Sequence, residues 1–278
     1  MTHSEQISTA AGIALTIADP VWLRLRREAE AVVRREPYLG GVIAGSILNH
    51  ASFESVLAFK IGQRLNHPTL PGELITQGFL AAVADDPDLS TTIRADVLAV
   101  LDRDPVCTRV IEPVLYFKGF HALVTHRLAH WLWQKGRTDF ALHLQSRSSE
   151  VFQTDINPAA RFGRGIFLDH ATGFVVGATA AIGDNVSILQ EVTLGGTGKE
   201  SGDRHPKVRD GVLIGAGAKI LGNIEIGPGA RIAAGSVVLH PVPANATVAG
   251  VPAKVIETAR CPEPARSMDQ ILRDLPDD

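Results

Sequence analysis

A six-residue rhythm in the second half of the chain is what most limits its possible folds. An aliphatic residue stands at Val176 and returns at Ile182, Ile188 and Leu194. After an interruption it resumes at Ile214, Ile220, Ile226, Ile232 and Val238. Gly often follows it, as at Gly177, Gly183, Gly195, Gly215 and Gly227. A period of six matches neither the 3.6 of a helix nor the 2 of a strand. It matches a parallel β-helix in which each hexad forms one flat side and about three hexads close one triangular coil. The aliphatic side chain then points inward and stacks on its counterpart one coil away. Gly and small residues let the chain turn the corners, where φ can be positive. The inside of such a prism is filled by its own ladder, so chemistry is confined to outer walls and to clefts between neighbouring prisms.

The rhythm begins near Asp155, where Ile156, Phe162 and Leu168 are already hexad-spaced. The step of eight from Leu168 to Val176 predicts two extra residues at one corner. The step of 20 from Leu194 to Ile214 reads as three hexads plus two, with Gly196–Gly211 thrown out as a loop. Loops on rigid scaffolds often carry function.

Upstream of Asp155 the period is helical. Asp19-Pro20 supplies an N-cap and a first-turn proline, ahead of an apolar stripe of Trp22, Leu23, Leu25, Ala29 and Val33. Leu39-Gly40-Gly41 breaks that helix. Ser52 caps a second, with Phe53, Val56, Leu57, Ile61 and Leu65 on one face, ended by Asn66-His67-Pro68. Ser90 is expected to cap another, carrying Ile93, Val97, Leu98 and Leu101 and stopped at Asp104-Pro105. Two more helices are predicted over about 118–135 and 138–153, punctuated by Gly136. The predicted organisation is α+β: a flexible tail over 1–18, an α-helical domain over 19–153, a parallel β-helix over 154–257 and a C-terminal tail over 258–278.

The 278 residues suffice for a core in each half, and a net charge of −3 argues against a dedicated nucleic-acid binder. Cys107 and Cys261 match no zinc or redox spacing and read as thiols of a reducing compartment. The N-terminal stretch lacks the basic and apolar regions of a signal peptide. The apolar runs Val42–Leu48 and Phe79–Ala84 fall far short of the roughly 20 residues of a membrane span. The expectation is a soluble, cytoplasmic chain with no membrane or nucleic-acid partner.

Several residues suggest chemistry. His170 falls at a coil corner, and Asp155 precedes it by a little less than one coil. A carboxylate beside an imidazole fixes its tautomer and steadies the imidazolium, which suits a general base, worth about 10²–10⁴ in rate. The alternative is a pair of unrelated exposed corner residues. On the loop, Asp203-Arg204-His205-Pro206-Lys207 offers a guanidinium fork suited to a carboxylate, or only a solvated charged stretch. Asp104 ends a helix and has either role. His126 and His130 stand at i, i+4 but lack the internal Glu of metalloprotease helices, so they read as structural. Ala216 and Ala234, one coil apart, form a column of small residues. Such a column leaves a groove where backbone groups could bind an extended amide-bearing molecule such as coenzyme A, with Lys219 and Lys254 near its phosphates. It could equally be a smooth wall for subunit packing.

The runs FQTDINPAARFGRGIFLDHATGFVVG, SILQEVTLGGTGKESGDRHPK, GVLIGAGAKILGNIEIG and AGVPAKVI resemble the bacterial serine acetyltransferases, members of the hexapeptide-repeat acyltransferases. So do RDPV and LYFKGFHALVTHRLAHWLW in the helical half, and the resemblance spans about residues 20–257. It implies a left-handed β-helix and transfer of acetyl from acetyl-CoA to the hydroxyl of L-serine, the first step toward cysteine. It implies His170 as the base, Asp155 as its orienting partner, Asp104 and Asp169 on the substrate amino group, and Arg204 and His205 on its carboxylate. The coenzyme A arm would run past Thr197, Ala216 and Ala234, with Lys254 nearby and no metal. It further implies trimers paired into hexamers through the helical halves, and inhibition by cysteine. Many members dock a C-terminal Ile into O-acetylserine sulfhydrylase. This chain ends in Leu275-Pro276-Asp277-Asp278 without that Ile, so the resemblance leaves this partner open. The residues alone leave three rivals: an acetyltransferase for homoserine or a sugar, a zinc hydratase using His170, His205 and His240, and a non-catalytic oligomerising scaffold.

Overall fold

The computed structural model describes residues 19–198, 201–258 and 263–270. The predicted tail over 1–18, most of that over 258–278, and Cys261 lie outside them. Helix α1 (Pro20–Arg35) starts as expected, with Asp19 Oδ1 accepting from the Val21 N–H at 3.0 Å and Pro20 at the first position. Its inner face is Val21, Leu25, Ala29 and Val32 rather than the predicted stripe. Leu23 points outward, while Trp22 and Val33 flank the core. The break falls at Glu36, because Pro37 disfavours the α region in the residue before it. Gly40 and Gly41 instead open a short turn, α2 (Gly40–Ile43).

Helix α3 (Phe53–Leu65) is capped by Ser52 and buries the predicted face. Helix α4 (Gly72–Asp85) was not anticipated. Gly62 and Gly72 meet where α3 and α4 touch, and a Cβ on either would strike the other's carbonyl oxygen. Helix α5 (Pro87–Arg103) begins before Ser90, because Asp86 accepts from the Asp88 N–H and Pro87 takes the first position. The Ser90 hydroxyl donates to Glu54 instead, and Leu98 faces out. The short α6 (Ile111–Leu115) leads to α7 (Lys118–Gln134) and α8 (Thr138–Phe152), separated at Gly136, whose φ is +73°. Among the described residues no single helix is long and apolar enough to cross a membrane. The bent pair Pro37–Leu48 and Phe53–Leu65 passes by length and composition, but turns through 115° and sends α3 into the helical core.

Gln153, in the left-handed region, ends α8 and feeds the solenoid. Wall one stacks Thr154–Ile156, Phe174–Val176, Thr193–Gly195, Lys219–Leu221 and Val237–Val238. Wall two stacks Arg161–Phe162, Ala181–Ile182, Lys207–Val208 and Glu225–Ile226. Wall three stacks Phe167–Leu168, Ser187–Ile188, Leu213–Ile214, Arg231–Ile232 and Ala246–Gly250, closed by the antiparallel Ala253–Thr258. The hexad residues Val176, Ile182, Ile188, Leu194, Ile214, Ile220, Ile226, Ile232 and Val238 are all buried in one ladder. Regular coils pair at three hexads, as Val176 with Leu194 and Ile214 with Ile232.

The long insertion is larger than the sequence arithmetic gave. Ile182 pairs with Val208 and Leu194 with Ile220, a step of 26 where a regular coil takes 18, so this coil holds eight extra, not two. All eight lie between Leu194 and Val208. Lys207-Val208 is already wall two, and Gly211, with φ +68°, is an ordinary corner, so the loop is shorter than Gly196–Gly211.

Helices and prism are bolted together by buried polar contacts. Arg127 forms a bidentate pair with Asp96 at 2.6 and 2.9 Å and donates to the Gly163 carbonyl at 2.7 Å. Asp96 also accepts from the Ile166 N–H at 2.9 Å. Arg103 donates to Ser187 Oγ at 3.1 Å, and that hydroxyl donates to the Ala265 carbonyl of the short α9 (Pro264–Ser267) at 2.6 Å. Each of these side chains has a partner, which offsets much of the desolvation cost of burying it, although Arg103 Nε makes no bond of its own.

Candidate active site

The edge between walls three and one carries His170. Counted back from the paired residues Val176, Leu194, Ile220 and Val238, the equivalent edge positions are Thr172, Gln190, Ala216 and Ala234. The backbone agrees: the Thr172, Gln190 and Ala216 carbonyls accept from the Glu191, Gly217 and Gly235 N–H groups at 2.7, 2.9 and 2.7 Å. Leu168 pairs with Ile188 at a separation of 20. The two predicted extra residues are therefore His170 and Ala171 themselves.

Both sit in the left-handed region, with φ of +55° and +62°. Such conformations cost about 1–3 kcal/mol each in non-glycine residues and persist only where surroundings enforce them. Here the surroundings are visible. The Thr172 N–H donates to the His170 carbonyl at 2.9 Å, and the Gly173 N–H to the Gln153 carbonyl at 2.8 Å. The start of α7 presses on the corner from outside. A Cβ at Gly119 would collide with the Leu168 carbonyl, and the Lys118 ammonium donates to the Thr172 hydroxyl.

The His170 side chain is 72 % exposed, with Nε2 3.7 Å from Asp169 Oδ2. Burial pushes the Asp169 carboxyl up, the His170 ring opposes that, and the like charge of Asp104 adds to it. Asp104 ends α5, where its Oδ1 accepts from the Val106 N–H at 3.0 Å. Asp104, Asp169, His170, Lys118 and Tyr116 line one cavity of about 310 Å³. Asp155 stands on wall one opposite Val175 and accepts from Gln145 Nε2 at 2.7 Å. Among the described residues Asp155 and His170 share no hydrogen bond. The residues next to them do approach: the Thr154 hydroxyl, which has the Phe152 carbonyl at 3.1 Å, also lies 3.4 Å from the Ala171 carbonyl.

The edge between walls one and two carries Thr197, Arg204, His205 and His240. His205 is 6 % exposed and fills a notch that exists because residue 177 is Gly, where a Cβ would fall inside the ring. Thr179 organises this edge. Its hydroxyl accepts from the Arg204 and His205 N–H groups at 3.0 and 3.2 Å and lies 2.7 Å from His205 Nδ1. With two N–H groups donating to that oxygen, its own proton is directed to Nδ1, which also receives the Thr179 N–H at 3.3 Å. Neutral His205 therefore carries its proton on Nε2. Burial lowers its pKa, and the Arg204 and Lys207 charges add to that, so neutral is the favoured form.

The residues predicted for coenzyme A also divide. Ala216 and Ala234 lie on the His170 edge, and Lys254, exposed and paired with Ala249, heads the same edge. Thr197 is on the other edge, beside Gly222. Among the described residues nothing takes up the Ala216 or Ala234 N–H groups, which leaves donors for amide carbonyls. His170 is on one edge and His205 and His240 are on another, and among the described residues no three candidate ligands gather for a metal ion. Sequence reasoning missed Thr179, Lys118 and Gln145. Each acts on a residue distant in sequence, and only their polarity beside a predicted motif hinted at them.

A helical domain feeding a hexad-built prism, with an imidazole raised from one edge, defines a hexapeptide-repeat acyltransferase. A family model for the serine acetyltransferase N-terminal region matches residues 21–125, and one for the bacterial transferase hexapeptide (six repeats) matches residues 205–240. The chain belongs to the serine acetyltransferase family. Over 250 residues it is 52 % identical to the serine acetyltransferase of Salmonella typhimurium, covering 90 % of this chain and 92 % of that one. The crystal structure of the Brucella abortus serine acetyltransferase in complex with coenzyme A is similar, with a TM-score of 0.87 and 58 % identity over 89 % of this chain and 99 % of that one. A serine acetyltransferase solved in complex with cysteine matches with a TM-score of 0.89 and 47 % identity, over 91 % of this chain and 98 % of that one.

Proposed function

We propose that the chain transfers the acetyl group of acetyl-CoA to the hydroxyl of L-serine, giving O-acetyl-L-serine and coenzyme A, as a cytoplasmic step toward cysteine. One observation carries the reading. An exposed imidazole shares a cavity with two carboxylates on one prism edge, while a buried neutral imidazole beside Arg204 occupies another. An α-amino acid needs that combination: carboxylates for its ammonium, a guanidinium and an N–H donor for its carboxylate, and a base for its hydroxyl.

His170 removes the serine hydroxyl proton as the oxygen attacks the thioester carbonyl. The tetrahedral intermediate collapses, the C–S bond breaks, and the imidazolium returns its proton to the departing thiolate. Asp155 orients His170 and steadies its charged form. Asp104 and Asp169 hold the substrate ammonium, and Arg204 with His205 Nε2–H holds its carboxylate. The pantetheine arm runs past Thr197, Ala216 and Ala234, and Lys254 meets phosphate. Cysteine carries the same ammonium and carboxylate and competes for this site.

Wall one separates the two edges within a chain. The clamp facing a given His170 therefore comes from a neighbouring prism, which supports a trimer, with helical halves pairing trimers into hexamers. Co-expressing His170→Ala with Arg204→Ala tests this. Assayed at serine well below the normal KM, His170→Ala alone is nearly inactive and Arg204→Ala alone is strongly impaired through its raised KM, while mixed assemblies regain roughly a quarter of normal activity, the share of sites built from two intact halves. No recovery would overturn the shared site. Thiol release with serine, homoserine and a sugar tests the acceptor, with turnover expected for serine. The C-terminal segment that bears on docking to O-acetylserine sulfhydrylase, residues 271–278, lies outside the described residues.

A further inference from the structure

We propose that Gln145 is a positioning residue that aims the Asp155 carboxylate at His170, a role that rests on reading His170 as the base and Asp155 as its support. The Gln145 amide donates to Asp155 Oδ1 at 2.7 Å. Among the described residues no other side chain bonds to this carboxylate. One oxygen is thus fixed, and Oδ2 is left free for the imidazole.

The choice of an amide matters. A lysine or arginine here would also fix the carboxylate, but its charge would weaken the pull of Asp155 on the imidazolium. A neutral donor fixes the geometry and leaves the charge intact. Gln145 is itself held on both sides along α8. Leu144 is buried in the helical core, Arg147 donates to the Leu65 carbonyl at 3.4 Å, and Ser148 donates to the Thr154 carbonyl at 3.2 Å. That last bond ties α8 to the residue next to Asp155. The Thr154 hydroxyl, between the Phe152 carbonyl at 3.1 Å and the Ala171 carbonyl at 3.4 Å, sets the end of helix α8 against the corner that carries His170.

A double-mutant cycle on the full-length chain tests the proposal. Gln145→Met keeps the shape and removes the amide. It is expected to lower kcat about tenfold, with KM for serine and acetyl-CoA within about twofold and the Tm unchanged. In an Asp155→Ala background the same substitution should have no further effect. Gln145→Glu sets a second carboxylate beside Asp155, and since like charges at that distance oppose ionising together, one of the pair keeps its proton to higher pH, so the acid limb of kcat should move to higher pH. An equal loss from Gln145→Met in both backgrounds overturns the proposal and leaves the base assignment standing. Normal turnover by Asp155→Ala alone instead removes the support role of Asp155, and Gln145 with it.

Discussion

Two imidazoles on neighbouring edges of the prism have opposite environments. His170 is carried on two residues that the repeat does not need, in a left-handed backbone, with most of its ring in solvent. His205 is sunk into a glycine notch, with Nδ1 committed to Thr179. The first turns its ring to solvent and to the cavity it shares with Asp104 and Asp169. The second is held neutral with one N–H to offer. The same side chain is presented to solvent, as suits the proposed base, or fixed as a donor, according to what the backbone beneath it does.

The largest expected effect falls on the exposed ring. His170→Ala should lower kcat by about 10²–10⁴-fold while calorimetry still registers coenzyme A binding. Near-normal kcat would erase the contrast between the two edges. Gly177→Ala should evict the His205 ring and raise KM for serine by about tenfold, with little change in KM for acetyl-CoA. A fall in kcat alone would mean that His205 also takes part in proton transfer. Thr179→Val removes the hydroxyl that sets the tautomer, so a rise in serine KM of about threefold to tenfold is expected. An unchanged KM would show that the notch suffices.

The smallest effect is a pH dependence of stability. Because the folded His205 pKa lies below the ordinary 6.5, the unfolded chain binds the extra proton between the two values. This ring therefore contributes stability that is present above about pH 6.5 and is lost as pH falls toward its folded pKa. His205→Gln should flatten that part of a plot of Tm against pH. An unaltered slope would mean that the ring is not held neutral.

What the sequence makes legible is what repeats. Inward aliphatic positions recur at every sixth place, so the ladder and the extra pair at residue 170 could be read by counting. The size of the loop could not, because the step from Leu194 to Ile214 fits an excess of two as well as a skipped hexad and an excess of eight. Serine is a favoured cap, which makes Ser90 resemble the start of α5, but Asp86-Pro87 is the stronger signal just upstream. Helix α4 has an apolar content that wraps broadly around it, and its register depends on a glycine contact with α3. Motif resemblance brought His170, Asp169, Asp104, Arg204 and His205 forward, but not their division between two edges. Thr179 and Gln145 act across separations of 26 and 10 in the chain, where no local pattern survives.

The buried ladder tolerates copying, since one more regular coil would add length and nothing else. The proposed base and the proposed clamp both lie at miscounts, a surplus of two on one edge and of eight on the next. A solenoid of this kind can thus lengthen or shorten by whole turns elsewhere while both irregular corners stay as they are, whereas deleting the pair at 170–171 would make that one corner regular and take the proposed base away with it.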